Sequence, residues 1–429
     1  MKRSTTKTPK PMVQLVIPQL FTPLPLWQKD FAFQADSLLI ASMCRYAQCT
    51  LFPQSTVESQ KNRQNHQDKH LAKPVTFGLE QTLYTLLQAP ANLPDNPHSL
   101  QLSNNFAYYR YQTDFGQPPP SAVLCADPVH LQTGIEQVIL RPIAWEVICP
   151  KDARDLLQRL NEHFSQEGLY FVQSPKTNGH WYVLFDTESE YHSSVAYLKT
   201  TDLSQVLGQN VLHHLPQVDS THEQDKAPND QQTAVNVLPD LSPKLSLRWH
   251  RLLNEIQMLL HLPTLNDSRE VAGDLPINSL WFWGSNRQQP TSLQDSSNGS
   301  LNNEPLTMRG VYGEHRLLPA LALMANSEHR AAHDLMVSLI KMKNLAHGRH
   351  ILVLDALLLP AIQDQPALWR EALHQLESNY LRPLYGAWQN KQIELQIYPC
   401  DGRVFQLKNK RFWQHFSKPQ SNLQDFSRQ

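Results

Sequence analysis

Apolar residues recur along this chain in two rhythms. Short continuous runs, MVQLVI at 12–17, SAVLCA at 121–126 and HILVL at 350–354, read as strands buried on both faces. Runs with apolar residues three and four apart read as helices, over about 31–45, 79–87, 152–164, 317–324, 333–342 and 366–380. The helix at 152–164 has Asp152 as its N-cap, Leu156, Leu157, Leu160 and Phe164 on its inner side, and Gly168 as its stop. Asn178-Gly179, between Leu169–Val172 and Trp181–Phe185, signals a hairpin, and Asp401-Gly402 signals another after Ile393–Tyr398. Strands alternating with helices predict an α/β fold with a mostly parallel or mixed sheet between helices.

The richest stretch runs from Trp249 to Gly284. Trp249, Leu252, Leu253, Ile256, Leu259 and Leu260 form one core-facing stripe. On the same wheel His250, Asn254, Gln257 and His261 fall within a sector about 60° wide, polar but nearly uncharged. Two imidazoles and two amides both donate and accept hydrogen bonds, so this row either reads a ligand or is a buried polar row satisfied by a neighbouring loop. Together with Arg269, Asn278, Trp281 and Trp283 it is the candidate ligand or partner pocket.

With 429 residues and 41% hydrophobic content there is material for two domains or one large unit. The expected division is a disordered basic tail at 1–11, an N-terminal α/β part at 12–215, a Pro-, Asp-, Gln- and Thr-rich linker at 216–243, and a C-terminal α/β part at 244–429. Residues 285–305 read as a flexible loop within the last part, and the two parts as sharing one core. A formal net charge of −1 provides no global basic field for nucleic acid or an anionic membrane, so direct nucleic-acid contact is expected to be weak or absent. Lys408–Phe416 (KNKRFWQHF) interleaves cations and aromatics in a way that suits base stacking, and equally a terminal amphipathic element. Five cysteines without CxxC spacing argue against structural zinc and against a disulfide framework. No apolar run approaches the roughly 18 residues of a membrane span, and the expected location is cytoplasmic.

Candidate chemistry sits at strand ends. Asp127 and His130 lie just past SAVLCA, where open α/β sheets place ligand-handling groups, and Asp355 repeats the pattern after HILVL. They are the candidate base or metal-ligating residues, for manganese or zinc. The plainer reading of Asp127 is a turn cap beside an ordinary His. His329 and His333, with Asp334 next to them, put two imidazoles four apart on a predicted helix, but without the HExxH order of a zinc helix. A Walker loop, a GxGxxG after a strand and a GxSxG elbow are all missing from the sequence, and 14 glycines leave little for phosphate cradles.

The blocks CADPVHL (125–131), LNEHFSQEGLYF (160–171), WHRLLNEIQMLLH (249–261) and LPINSLWFWG (275–284) resemble, in order, the bacterial RpfE-type regulatory proteins, a family labelled as related to cofactor-independent phosphoglycerate mutases. The resemblance implies an alkaline-phosphatase-like scaffold with a sheet between helices, and an association with a RecJ-type single-strand exonuclease. The mutases need two metal ions held by several Asp and His residues, with an acid right after the first strand. Here VQLVI ends in Pro18-Gln19-Leu20. The expectation is a regulatory or interaction protein on a reduced phosphomutase-like scaffold. The alternatives are an active metal-dependent phosphotransferase using Asp127, His130 and Asp355, and an accessory to single-strand DNA exonuclease or repair.

Overall fold

A computed structural model describes residues 10–51, 79–88, 106–141, 143, 148–195, 198–218, 238–261, 263–285, 307–340, 345–408 and 423. The expected tail at 1–9 and most of the expected linker and loop, 219–237 and 286–306, lie outside the described residues, as do 409–416 of the basic aromatic cluster.

The chain begins with β1 (Met12–Val16), α1 (Leu24–Phe31), α2 (Leu38–Arg45), β2 (Ala47–Leu51), α3 (Leu79–Gln88) and α4 (Phe106–Phe115). Next come β3 (Ala122–Thr133), β4 (Val138–Arg141), α5 (Pro150–Phe164), β5 (Leu169–Gln173), β6 (Trp181–Phe185), β7 (Leu198–Lys199) and β8 (Gln217–Val218). After these follow α6 (Leu238–Leu260), α7 (Pro263–Val271), β9 (Ser279–Trp283), β10 (Met308–Tyr312), α8 (Leu318–Met324), β11 (His329–Arg330) and α9 (Ala332–Ile340). The last elements are β12 (Arg349–Val353), α10 (Pro366–Leu376), α11 (Arg382–Gln389), β13 (Glu394–Tyr398) and β14 (Arg403–Leu407).

Two compact units share this order unevenly. The first takes residues 1–100 and 297–429, and the second takes 101–296. This differs from the expected division: the boundary at 216–243 falls inside the second unit, and each unit has a core of its own. Composition marks a soft segment, whereas contact partners decide which unit a strand joins.

The first unit holds a seven-stranded sheet in the order β11-β10-β12-β1-β13-β14-β2. β1 is at its centre, paired in parallel with β12 and β13, and all five of its residues are buried. That accounts for the unbroken apolar run of MVQLVI, since a central parallel strand is covered on both faces. The Asp401-Gly402 turn makes β13 and β14 antiparallel, and β2 closes that edge antiparallel to β14. On one face Val13, Leu15, Leu352, Leu395 and Ile397 join Trp27, Trp369, Leu373 and Leu384 from α1, α10 and α11 in one core. The other face of β1 carries Gln14, whose Oε1 accepts from Arg349 Nε at 3.1 Å and Nη2 at 3.0 Å. Its Nε2 donates to Gln396 and to the Tyr398 hydroxyl, and Arg349 reaches the Leu86 carbonyl of α3. Of the expected helix over 31–45 only the second half forms, as α2 over 38–45, because α1 ends at Phe31 and Ser37 starts a new helix by accepting from the Ile40 N–H.

The second unit is built on an antiparallel sheet, β4-β3-β6-β5, with β9 along the other side of β3. The Asn178-Gly179 signal delivers the β5–β6 hairpin, and Gly168 ends the α5 segment at φ 73°. Residues of even number on β3, Leu124 and Ala126, face a core with Phe164 of α5 and Trp249, Leu252 and Ile256 of α6. Odd-numbered residues face α4, where Phe106 stacks on Trp283 at 4.9 Å. Among the described residues no helix is long and apolar enough to cross a membrane.

Candidate functional site

β3 does not stop at Ala126, as the apolar run predicts, but continues to Thr133. Asp127 therefore sits mid-strand, opposite Trp281, and is not at a strand end. Pro128 hides this in the sequence, because proline lacks the N–H a ladder needs. It is tolerated because Val129 and Leu131 turn their backbone groups toward the β9 side, which points the Pro128 nitrogen to the other edge, beyond the pairing of β6 and before that of β4.

Asp127 is fully buried, and its carboxylate is taken up by Arg110 of α4, two parallel bonds at 2.8 Å each. The indole of Trp283 donates to the same carboxylate at 2.9 Å. Arg110 is also fully committed: Nε donates to the Tyr182 hydroxyl at 3.1 Å and Nη2 to the Trp181 carbonyl at 3.0 Å. Its guanidinium lies 4.7 Å from the Tyr182 ring centre and 5.2 Å from that of Trp283. The Tyr182 hydroxyl donates to Asp114 at 2.6 Å, and His180 Nδ1 donates to the same carboxylate at 2.9 Å. Burial works against the charge of Arg110, but Asp127 outweighs it and raises the guanidinium's pKa well above its usual value. For Asp114 burial pushes upward, yet His180, Tyr182 and Arg110 together hold it below the usual carboxylate range. This is a closed buried network in which the acid has a cation and the cation has acceptors.

His130 is three residues on from Asp127 and so on the opposite face of the strand. Its Nδ1 donates to the Pro276 carbonyl at 3.0 Å. The two side chains thus diverge, which removes them as a metal-ligating pair or an acid-base couple. The expected pocket separates in the same way. Trp281 and Trp283 point to the α4 side, with the Trp281 indole donating to the Thr201 carbonyl at 2.8 Å, whereas α6 packs through Trp249 on Phe282 of the opposite face. Along α6 Asn254 and His261 are exposed, Gln257 and His250 are half-buried, and His250 donates to the Pro216 carbonyl. The stripe is a largely solvated flank, neither a pocket wall shared with the tryptophans nor a buried row. Asn278 imitates a strand residue, its side chain exchanging two hydrogen bonds with the Leu131 backbone at 2.7 and 3.0 Å. Arg269, 3% exposed, donates from Nε to the Leu275 carbonyl, and its Nη2 meets no hydrogen-bond partner among the described residues.

The first unit presents the other candidate, at the carboxyl ends of its parallel strands. Asp355 is there as expected, half-buried after β12. Near it is a residue that no sequence pattern marks, His315, on the turn after β10. Gly313 fixes that turn at φ +142°, and any Cβ there would meet the Val353 carbonyl at 2.6 Å. The Leu317 N–H donates to His315 Nδ1 at 3.4 Å, which leaves the ring proton of the neutral form on Nε2. Burial pulls the imidazole down to about 4, with Arg316 acting in the same direction and Asp355 opposing both. At neutral pH this is an uncharged hydrogen-bonding group beside a carboxylate, and a weak base. The neighbouring acids are engaged: Glu314 accepts from the Ala332 N–H, and Asp401 is paired with Arg403. After β1 the chain runs Ile17-Pro18-Gln19, with Gln19 at φ 63°, and Cys400 after β13 takes φ 61°. Left-handed backbone at non-glycine residues is costly and gathers at such edges. His329 of β11 donates to the Gly313 carbonyl, and His333 lies on α9, exposed like Asp334.

Two metal ions need several Asp and His side chains converging. Among the described residues no three His, Cys, Asp or Glu side chains come together in a way that could hold even one ion, so they do not fit the metals that the mutase resemblance implies.

No family model matches this sequence, and no curated protein matches it. Among the solved structures that align with this chain are two that are each 10% identical to it and cover 93% of it. One is the PH0037 protein from Pyrococcus horikoshii, covered over 86% of its own chain with a TM-score of 0.45. The other is a cofactor-independent phosphoglycerate mutase from Thermoplasma acidophilum, covered over 89% of its own chain with a TM-score of 0.36. By its own strand pairing the chain is a mixed α/β protein with a mostly parallel central sheet in its first unit.

Proposed function

We propose that this chain is a regulatory or interaction protein on a phosphomutase-like scaffold with a reduced site. The observation that carries this reading is how the acidic and imidazole groups are used. Asp127 is neutralised by Arg110, His130 is bonded to a backbone carbonyl, and the strand-end pair left at the sheet edge is Asp355 with a neutral His315. Such a pair can orient a polar ligand by hydrogen bonding, but one carboxylate and one imidazole are fewer protein ligands than the three or more that ordinarily hold a divalent cation, and among the described residues no third converges on them. The resemblance to RpfE-type regulatory proteins supports the same reading. Metal analysis of the purified full-length chain tests it, together with phosphomonoester and 2- or 3-phosphoglycerate turnover in added manganese. The expected result is no stoichiometric metal and no turnover. Two chelator-removable equivalents of manganese or zinc, with turnover that falls when they are removed, would overturn it.

A further inference from the structure

The strands at the borders of the two sheets differ in how their outer edges are finished. In the second unit the edge of β5 is closed by Asn161 of α5, whose side chain accepts from the Phe171 N–H and donates to its carbonyl, and the edge of β4 is bridged to Leu207 and Asn210. β9 is buried along its whole length. In the first unit β11 has two residues, too short to template another strand. β2, at the other border, has five, and its last four are exposed, Leu51 by 83%.

The ladder with β14 fixes which of these residues face outward. In an antiparallel pair, opposite residues that exchange both hydrogen bonds alternate with residues that exchange none. The Lys408 N–H donates to the Tyr46 carbonyl, one step beyond the pairing of Ala47 with Leu407. Residues 46, 48 and 50 therefore turn their backbone groups toward β14, and Ala47, Cys49 and Leu51 turn theirs outward. The strand, AQCTL, carries neither a charge nor a proline, the devices that keep an edge from pairing.

We infer that β2 is a docking edge for a second copy of this chain, paired antiparallel about a two-fold axis at Cys49. That register sets Cys49 opposite the partner's Cys49 and Ala47 opposite the partner's Leu51, so every outward N–H on both strands finds a carbonyl. It also sets a small side chain against the large exposed one and Gln48 against the partner's Thr50. A two-fold axis brings each group towards its own copy, and an uncharged strand meets no repulsion there. Pairing uses up the edge, so assembly stops at two. A five-residue ladder alone falls short of the roughly 1,200–2,000 Å2 of a stable interface, which makes the dimer weak and concentration-dependent. The inference goes beyond the regulatory reading and does not rest on it.

Sedimentation velocity of the full-length chain from about 1 to about 200 µM tests it, with a shift from monomer to dimer and nothing larger as the expected result. Cys49→Lys sets like charges at the axis, and Cys49→Pro removes an N–H that points away from β14 and so spares the ladder within the chain. Each should weaken association by about ten-fold or more. Circular dichroism confirms that both variants are folded. Cys149 is the other exposed thiol, so a short bismaleimide should link the Cys149→Ser chain into dimers and fail when Cys49→Ser is added. A dimer equally tight in both folded Cys49 variants, or assembly beyond two, overturns the inference. So does a monomer at every concentration: slow amide exchange at Ala47, Cys49 and Leu51 would then assign the edge to another part of this chain, and fast exchange to a different partner.

Discussion

Each unit buries an arginine beneath its sheet, and the two are handled differently. Arg110 in the second unit faces a carboxylate, and its pKa rises. Arg349 in the first unit bonds to the neutral amide of Gln14 and the Leu86 carbonyl, and burial lowers its pKa. In the first case a buried charge is cancelled by its partner; in the second the dipoles of the Gln14 amide and the Leu86 carbonyl help to solvate it. A buried ion pair gains little net stability over an apolar pair but is very costly to break by halves. A guanidinium held by amides is cheaper to disturb, because each bond removed is one among several.

The largest test breaks the ion pair by halves. Asp127→Ala should destabilise the protein by about 3–5 kcal/mol by stranding Arg110, and the double change Arg110→Met with Asp127→Leu should recover much of that. Chemical denaturation of the single and double variants decides it. If the single change costs under about 1 kcal/mol, the network is not what holds α4 to the sheet. Gln14→Leu should cost less, about 1–3 kcal/mol, since Arg349 keeps the Leu86 carbonyl. A loss as large as that for Asp127→Ala would erase the contrast between the two arginines.

The units should also differ in acid. His315, held near 4 against an ordinary 6.5, binds its proton less readily when folded. The unfolded state then carries more protons between those values, so stability falls as pH drops from 6.5 towards 4 and levels off below. Asp114 is held below its ordinary 3.8, so its contribution is complete above that value and is lost as pH falls through the folded pKa. Melting curves across pH should show His315→Gln flattening the higher window and Asp114→Asn the lower one. A higher window untouched by His315→Gln would mean that burial does not control that ring.

The smallest expected effect is on the α6 flank. Asn254→Leu and Gln257→Leu should each change stability by less than about 0.5 kcal/mol, since neither side chain is buried. A clear drop in the melting midpoint for both would show that the flank is structural and would contradict the contrast between engaged and solvated polar groups.

The helical wheel identified the apolar side of α6 correctly, with Trp249, Leu252 and Ile256 inside, but it could not say what a polar sector beside it faces. Periodicity assigns a residue to one side of an element, and solvent or a neighbour is assigned only by packing. His315 was missed for a related reason. Its strand, MRGVY, is short and interrupted by a charge and a glycine, so no apolar run marked the turn that follows.

What the sequence determined by itself is local. Buried runs became β1, β6 and β12, the Asn-Gly and Asp-Gly pairs became hairpins, and helical spacing placed α5, α6 and α10, because those choices rest on neighbours within a few positions. Tertiary structure decided everything that depends on distant partners. It gave β1 partners from the last hundred residues, placed 101–296 in a unit of its own, and put Arg110 against Asp127. The meaning of an acid such as Asp127 is set by the charge and solvent around it, and in this protein those come from a helix that local sequence pattern does not connect to its strand.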